Sequence, residues 1–234
     1  MDKKKLHKRL GDGNFVFDVD FTGLQSFCEL YEDDVPLCTT AAWEVHSSPH
    51  LNNGSPYKYN LARIGFVFED ENGDILPSFA VADIVQEKDE TTGVLHSRFS
   101  VNGCECYVKT SVCAKSATIT AEAESSLIKR DRMYVNIVFP YPSPEKNGSD
   151  WLSDDRHKSQ LRHLGDACEA GAAADLGVDD DEEFNESKVE RVIDDIRMSV
   201  GIKAKNARIG HRLVHKYFVK ANGDKLWVEV RFGL

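Results

Sequence analysis

Residues 94–112 read VLHSRFSVNGCECYVKTSV, and this stretch decides the fold of the chain. Apolar and polar side chains alternate on both sides of Asn102-Gly103, a pattern typical of two half-buried strands. An Asn-Gly step is a strong signal for a two-residue hairpin turn, because both residues tolerate a positive φ. The stretch therefore predicts an antiparallel β-hairpin.

Strand-like runs of the same kind recur along the whole chain, and Asn72-Gly73, Thr92-Gly93 and Asn222-Gly223 supply turn signals between them. No alternation of strand and helix indicates a parallel sheet. About nine strands are expected, which predicts an all-β fold, an antiparallel β-sandwich of the supersandwich type. The predicted strands cover residues 15–21, 61–68, 77–88, 94–101, 104–112, 117–123, 132–139, 212–219 and 225–232.

Two neighbouring segments depart from this pattern. Residues 165–183 are rich in Ala, Gly and acids and predict a flexible insert. In residues 186–200 the apolar positions follow helical spacing, with Asn185 or Ser187 as the N-cap and Gly201 as the end, which predicts one peripheral α-helix. That helix either lies on the sandwich or binds a partner. The expected organisation is a basic, disordered terminus at 1–13 and one sandwich domain at 14–234, with the insert and helix at about 165–201.

Charge is concentrated in one part of the chain. The formal net charge is −10, and residues 169–195 hold eleven acids against two bases. The remainder is nearly neutral and shows no cluster of Lys and Arg on one face, so no nucleic-acid partner is expected.

The apolar runs are too short to cross a membrane, and no secretory signal follows the basic start, so we expect no membrane partner and a cytoplasmic location. Of six cysteines, Cys104 and Cys106 fall on the same face of one strand, which is poor geometry for a disulfide. Most of the cysteines are expected to be reduced, small buried residues.

Motifs for chemistry are weak. His211 and His215 fall in one predicted strand, where four residues span about 13 Å, so they are not expected to share an ion. His46 and His50 have no further ligand at suitable spacing. We therefore predict no metal site, no cofactor and no catalytic residue.

Aromatic side chains gather in two segments predicted to be irregular. The first runs from a turn at Thr22-Gly23 to residue 60, and the second covers 140–151. Flat rings in such segments either stack on sugars or pack against the sandwich rim or an adjoining domain. The predicted carbohydrate-binding or domain-docking residues are Trp43, His46, Tyr57, Tyr141 and Trp151.

Several of these segments are similar to a known family. The opening pattern V-D-x-T-G-L-Q-x-F-x-E-x-Y at 19–31, followed by P-L-x-T and W-x-x-H-S-x-P at 43–49, resembles the amino-terminal β-sandwich domain of bacterial six-hairpin glycosidase-like proteins. Further likenesses are L-A-R-I-G-F at 61–66, T-G-V-L-H-S-R-F at 92–99 and F-P-Y-P-S at 139–143 with D-W at 150–151. The likeness covers about residues 15–163. At 44–45 this chain has Glu-Val where the family has Gly-Trp.

The resemblance implies a role beside a catalytic domain. In that family an (α/α)6 barrel carries the general acid and base, so no catalytic acid is transferred to this chain. The expected function is a non-catalytic sandwich domain of a glycoside-hydrolase-like protein that supports this barrel in cis and contacts an oligosaccharide. Two alternatives stay open: a stand-alone protein- or carbohydrate-binding module, and a small enzyme that uses Glu29, Glu44 and His46.

Overall fold

Two antiparallel sheets make up the computed structural model, which describes residues 18–26, 39–48, 59–143, 149–164, 184–194 and 196–233. For 18–26 and 39–48 only the backbone is described. The first sheet has the strand order β1-β2-β3-β8-β13-β12 and the second the order β4-β5-β6-β7-β14-β11-β10-β9. The predicted all-β antiparallel sandwich is confirmed.

Fourteen strands lie within the described residues, against about nine expected. Strands of the six-stranded sheet are β1 (Asp18–Ser26), β2 (Thr39–Ser48), β3 (Tyr59–Phe68), β8 (Met133–Val138), β12 (Ala207–Leu213) and β13 (Lys216–Ala221). Strands of the eight-stranded sheet are β4 (Val81–Lys88), β5 (Leu95–Val101), β6 (Cys104–Cys113), β7 (Thr118–Ser125), β9 (His157–His163), β10 (Phe184–Ile193), β11 (Ile196–Lys205) and β14 (Lys225–Gly233).

Helical structure is short in the described residues. One α-helix, α1 (Ser126–Lys129), follows β7, and 3-10 turns lie at Ser78–Ala80, Ala114–Ser116 and Asp154–Arg156. None of the helices in the described ranges has the length and apolar character needed to cross a membrane.

The hairpin predicted from 94–112 is confirmed. β5 pairs with β6 antiparallel, and Asn102 (φ 47°) and Gly103 (φ 77°) form the turn between them. Positive φ at both positions is the geometry of a type I′ turn, which matches the twist of the flanking strands. The turn at Thr92-Gly93 is also confirmed, with Gly93 at φ 72° between β4 and β5.

The core lies between the two sheets. Alternate residues of β6, β7, β14 and β11 point inward and meet buried side chains of β3, β8 and β13. Phe66 and Phe68 on β3 and Phe99 on β5 are each at most 1% exposed, and the rings of Phe68 and Phe99 meet edge to face at 5.9 Å. Burial of such large rings from both sheets is what holds the layers together.

The helix predicted over residues 186–200 is wrong. This segment forms β10 and β11, which pair along their whole length around a turn at Asp194 (φ 53°). All five apolar residues of the helical pattern are Val or Ile, whose branched side chains favour strands. The inward position between Val189 and Ile193 is Arg191, and this buried arginine hid the strand alternation.

Other boundaries also differ from the predictions. The segment 22–60 is not one irregular loop, because β1 continues to Ser26 with a register shift after Thr22, and β2 covers 39–48. The single strand predicted at 212–219 is two strands, since His215 adopts φ 57° in the turn between β12 and β13. β9 was not predicted. The acidic insert at 165–183 and the terminus at 1–13 lie outside the described residues.

Candidate functional site

A shallow groove crosses the outer face of the eight-stranded sheet. The strand register aligns Lys109, Glu122, Trp227, Lys205 and Phe184 in one row across β6, β7, β14, β11 and β10. All five positions alternate with inward-facing core residues, so their side chains project from the same face. We call this feature the sheet groove; it has a volume of about 510 Å³ and is lined chiefly by Tyr107, Lys109, Glu122, Glu124, Lys205 and Trp227.

Aromatic rings are held in fixed orientations along the groove. The Trp227 ring meets Phe184 edge to face, with centroids 5.7 Å apart and an interplanar angle of 82°. The Nζ of Lys205 lies 5.7 Å from the Trp227 ring and 5.2 Å from Phe184. These contacts restrain the indole on the outer face, where it is partly exposed.

Tyr107 forms the second aromatic position. The residue is 46% exposed, and its hydroxyl donates to Glu105 Oε2 at 3.0 Å. This hydrogen bond and the negative charge of Glu105 raise the pKa of Tyr107, so the phenol stays neutral at physiological pH. An exposed neutral ring on a rigid strand is available for stacking.

Charged groups surround these rings with both signs. Lys225 pairs with Glu124 across β14 and β7 at 3.2 Å, while Lys109 and Glu122 are direct cross-strand neighbours. Carboxylates only accept hydrogen bonds and ammonium groups only donate them. The groove therefore offers both kinds of partner to a polar ligand beside apolar ring surface.

The residues predicted from the sequence are placed differently. Trp43 and His46 lie in strand β2, not in a loop, and Tyr57 lies outside the described residues. Tyr141 is 1% exposed, so a sugar cannot reach its ring in this fold. Trp151 is partly buried, with the guanidinium of Arg63 at 4.2 Å from its ring. Tyr141 and Trp151 are near in sequence, but neither lines the sheet groove.

The groove residues were missed although a signal for them existed. Once 104–112 and 225–232 are strands, Tyr107 and Trp227 fall on the face opposite the apolar positions. They were missed because only aromatic residues in segments predicted to be irregular were considered as binding residues. Phe184 had no such signal, because the strand that carries it was not predicted.

A second polar region lies at the edge of the sandwich, where β9 approaches the β12–β13 turn. His215 Nε2 hydrogen-bonds to the main-chain oxygen of Asp154 at 2.8 Å, and its Nδ1 lies 2.6 Å from Ser159 Oγ. A carbonyl oxygen only accepts, so Nε2 carries the proton and Ser159 donates to Nδ1. Tyr217 in turn donates to Ser159 at 2.6 Å. We call Asp154, His157, Ser159, His215 and Tyr217 the edge cluster.

His157 stacks on His215 within this cluster. The ring centroids are 3.7 Å apart with an interplanar angle of 23°. Burial, with the nearby Arg191 and His215, lowers the pKa of His157 to about 3. The imidazole is therefore neutral at physiological pH.

Arg191 lies behind His157 and joins the two sheets. It projects from β10 and donates to Leu61 O on β3 and to Pro140 O after β8, both at 2.8 Å. It is 1% exposed, and its guanidinium lies 4.6 Å from the Phe139 ring. Burial lowers the pKa of Arg191 to about 9, and no carboxylate forms an ion pair with it among the described residues. Main-chain carbonyls and a ring face hold this cation in place.

Of the three cysteines that the structure describes, only Cys106 matches the prediction of a free and buried residue, since Cys104 is partly buried and Cys113 is exposed. Cys104 and Cys106 are free, and Cys106 is fully buried with its thiol 3.3 Å from Ser125 Oγ. Burial raises the pKa of Cys106 to about 11. Cys113 is free but exposed, and hydrogen bonds from Ser116 lower its pKa.

Comparison with known proteins gives no identification: no protein-family model matches the chain, and no curated protein matches it. The resemblance to the sandwich domain of six-hairpin glycosidase-like proteins therefore stays a prediction.

Proposed function

We propose that this β-sandwich is a non-catalytic module that binds an oligosaccharide in the sheet groove. The observation that carries the proposal is the pair of Trp227, which is partly exposed, and Tyr107, which is 46% exposed; both lie on strands and are flanked by charged side chains. Sugar rings present C–H bonds on their faces and hydroxyl groups at their edges. A groove with ring surface and polar partners suits both.

Each part of the groove has a distinct role in this proposal. Trp227 and Tyr107 stack on sugar faces, and this contact is favourable because the C–H bonds of the sugar meet the electron-rich face of the aromatic ring. Glu122 and Glu124 accept hydrogen bonds from sugar hydroxyls, while Lys109 and Lys205 donate to sugar oxygens. Phe184 holds the indole in position by its edge-to-face contact. Preorganised rings reduce the entropy lost on binding.

The test is binding of the purified chain to a panel of neutral and acidic oligosaccharides, followed by calorimetry on each positive. Trp227→Ala and Tyr107→Ala are expected to weaken binding at least tenfold. Phe79→Ala is the matched control, because Phe79 is 87% exposed but does not line the groove. Absence of any ligand, or equal loss in the Phe79→Ala variant, contradicts the proposal.

We also propose, from the resemblance, that the module supports an (α/α)6 catalytic barrel in cis. Exposed apolar side chains support a contact of this kind: Leu152 is 78% exposed, and Leu213 and Val214 at the β12–β13 turn are 57% and 53% exposed. The coding sequence around this chain tests the idea. Helical-hairpin repeats in the same reading frame support it, and a reading frame without them contradicts it.

A further inference from the structure

A basic patch lies on the outer face of the eight-stranded sheet, beyond the sheet groove. It consists of five cationic side chains from four strands: Arg231 on β14, Arg197 on β11, Lys188 on β10, and Lys158 and Arg162 on β9. We propose that this basic patch binds the carboxylate or sulfate groups of an acidic oligosaccharide that extends from the sheet groove. The inference rests on the proposed function, because it names the class of sugar that the groove binds.

The strand register sets three of the cations in one row. Arg231, Lys188 and Arg162 are aligned across β14, β11, β10 and β9, and Gly201 occupies the position between Arg231 and Lys188. Lys188 and Arg162 are direct cross-strand neighbours, and like charges in such positions destabilise a sheet. An anion above the row relieves this repulsion.

The other two cations form a second row on the same face. Arg197 on β11 and Lys158 on β9 flank Val192 of β10 in the register. Both cations are exposed, and they alternate with side chains that face the core. No basic face was predicted from the sequence, because only the sheet order brings these four strands together.

Carboxylates balance the basic patch only in part. Glu190 lies between the two rows and pairs with Arg162 at 3.0 Å and with Lys188 at 3.9 Å. Three cations form no ion pair with any residue in the described part of the chain: Lys158, Arg197 and Arg231. Their charges are therefore available to a ligand.

An open cavity of about 570 Å³ gives a ligand room at the basic patch. Its lining includes Lys158, Arg162 and Arg197, with Glu190 and the exposed Asp154 as the acids. Guanidinium and ammonium groups only donate hydrogen bonds, and a guanidinium can donate two to one carboxylate. Because cations exceed acids in this lining, it suits an anionic group.

Protection of a sheet edge does not account for the whole basic patch. Charged residues on an edge strand discourage pairing with other chains, and β9 with Lys158 and Arg162 is such a strand. Lys188, Arg197 and Arg231 lie on β10, β11 and β14, which are paired on both sides. Their charges have no role in protecting an edge.

The basic patch and the sheet groove share one face of the sheet. Arg231 lies four residues beyond Trp227 on β14, which corresponds to about 13 Å along the strand. The row between them is polar and contains Glu229, Lys203 and Glu186. One extended oligosaccharide can therefore stack on the groove rings and place acidic groups over the basic patch.

The charge of the whole chain favours an acidic sugar over a nucleic acid. Nucleic-acid-binding domains are typically basic overall, whereas this chain has a net charge of −10 and a pI near 5.3. Its positive charge is in excess only over the basic patch, since Glu186 already pairs with Lys203 at 2.9 Å in the next row.

Calorimetry of the full chain with an oligogalacturonate and with its methyl ester tests the inference, because the ester removes the charge and keeps the sugar backbone. Dextran sulfate and dextran form a second pair, which distinguishes sulfate from carboxylate. We expect at least one acidic probe to bind at least about tenfold more tightly than its uncharged counterpart. This preference should decrease when the NaCl concentration is raised, because salt screens exposed charges.

A triple variant locates the effect. Lys158→Gln, Arg197→Gln and Arg231→Gln together remove three exposed cations without breaking an ion pair between described residues, and circular dichroism checks that the fold is kept. We expect this variant to bind the acidic probe at least about tenfold more weakly. The matched control combines the same change at three exposed cations outside the basic patch: Lys88→Gln, Lys129→Gln and Arg130→Gln. It alters the net charge by the same amount and should bind like the wild type.

The outcomes separate this inference from the proposed function. Absence of binding by all four probes, equal binding of acidic and uncharged probes, or equal loss in the two triple variants overturns the inference. An acidic probe that depends on the basic patch but binds Trp227→Ala as tightly as the wild type contradicts the groove proposal instead. A single-stranded DNA oligonucleotide that binds more tightly than every sugar at the same salt concentration overturns the choice of ligand.

Discussion

Replacement of Arg191 by Met tests how the two sheets are joined. The change removes a buried guanidinium that donates two hydrogen bonds of 2.8 Å, one to Leu61 O and one to Pro140 O. Met fills most of the same volume and cannot donate. The variant therefore leaves two buried carbonyls with fewer donors than before.

Opposing effects set the magnitude of the change. Loss of two charge-assisted hydrogen bonds costs about 1.5–3 kcal/mol each, and loss of the contact with Phe139 adds about 1 kcal/mol. Met also removes the cost of burying a cation that has no carboxylate partner, and this stabilises the variant by several kcal/mol. The carbonyl bonds dominate because both are short and span the two sheets, so we expect a net destabilisation of about 2–4 kcal/mol.

Urea unfolding measures this difference as a shift in midpoint at an unchanged slope. Arg197→Met is the matched control, because Arg197 is exposed on the neighbouring strand β11, and it should change stability by less than about 0.5 kcal/mol. An Arg191→Met variant as stable as the wild type would falsify the claim that this arginine joins the sheets. Arg191→Lys keeps the charge but cannot reach both carbonyls, so it should be destabilised too.

Three further predictions concern packing, thiol reactivity and pH. Gly210→Ala should lose about 1–3 kcal/mol in urea unfolding, because the added Cβ would lie 2.7 Å from Cε1 of the cross-strand Phe218 ring and push it aside. Iodoacetamide followed by mass spectrometry should label Cys113 and spare Cys106 in the folded chain; equal labelling would refute the assigned burial. The protein should lose about 2 kcal/mol of stability between pH 7 and pH 5 from His157 alone, since its pKa is about 3 when folded and about 6.5 when unfolded, and only the unfolded chain gains the proton in this window. The same measurement on His157→Gln isolates the contribution of His157. An identical change of the unfolding free energy with pH in the two proteins would contradict the prediction.

Local patterns predicted the strands that have a polar face and an apolar face. Alternation and the Asn-Gly turn were sufficient for β5 and β6, because each signal lies within a few residues. The same reasoning failed for β10, where Arg191 occupies an inward position normally filled by an apolar residue. A buried arginine is stable there only because carbonyls from distant strands meet it, and that information is not local.

The candidate sites were harder to predict for a related reason. The edge cluster brings together His157 and His215, which are far apart in sequence: His157 begins β9 of the eight-stranded sheet, and His215 lies in the turn between two strands of the other sheet. Their proximity depends on the turn at His215. The prediction of one continuous strand over 212–219 did not include that turn. The sheet groove likewise needs the order β6-β7-β14-β11, and strand order cannot be deduced from alternation alone.

Fluorine NMR on protein labelled with 5-fluorotryptophan tests the proposed function most directly. The chain has three tryptophans, Trp43, Trp151 and Trp227, so three resonances are expected, and Trp227→Phe assigns the one from the groove. On titration with an oligosaccharide that binds, we predict that the Trp227 resonance shifts with saturation while the other two stay in place. A shift confined to Trp43 or Trp151, with Trp227 unchanged, would contradict the sheet groove as the binding site.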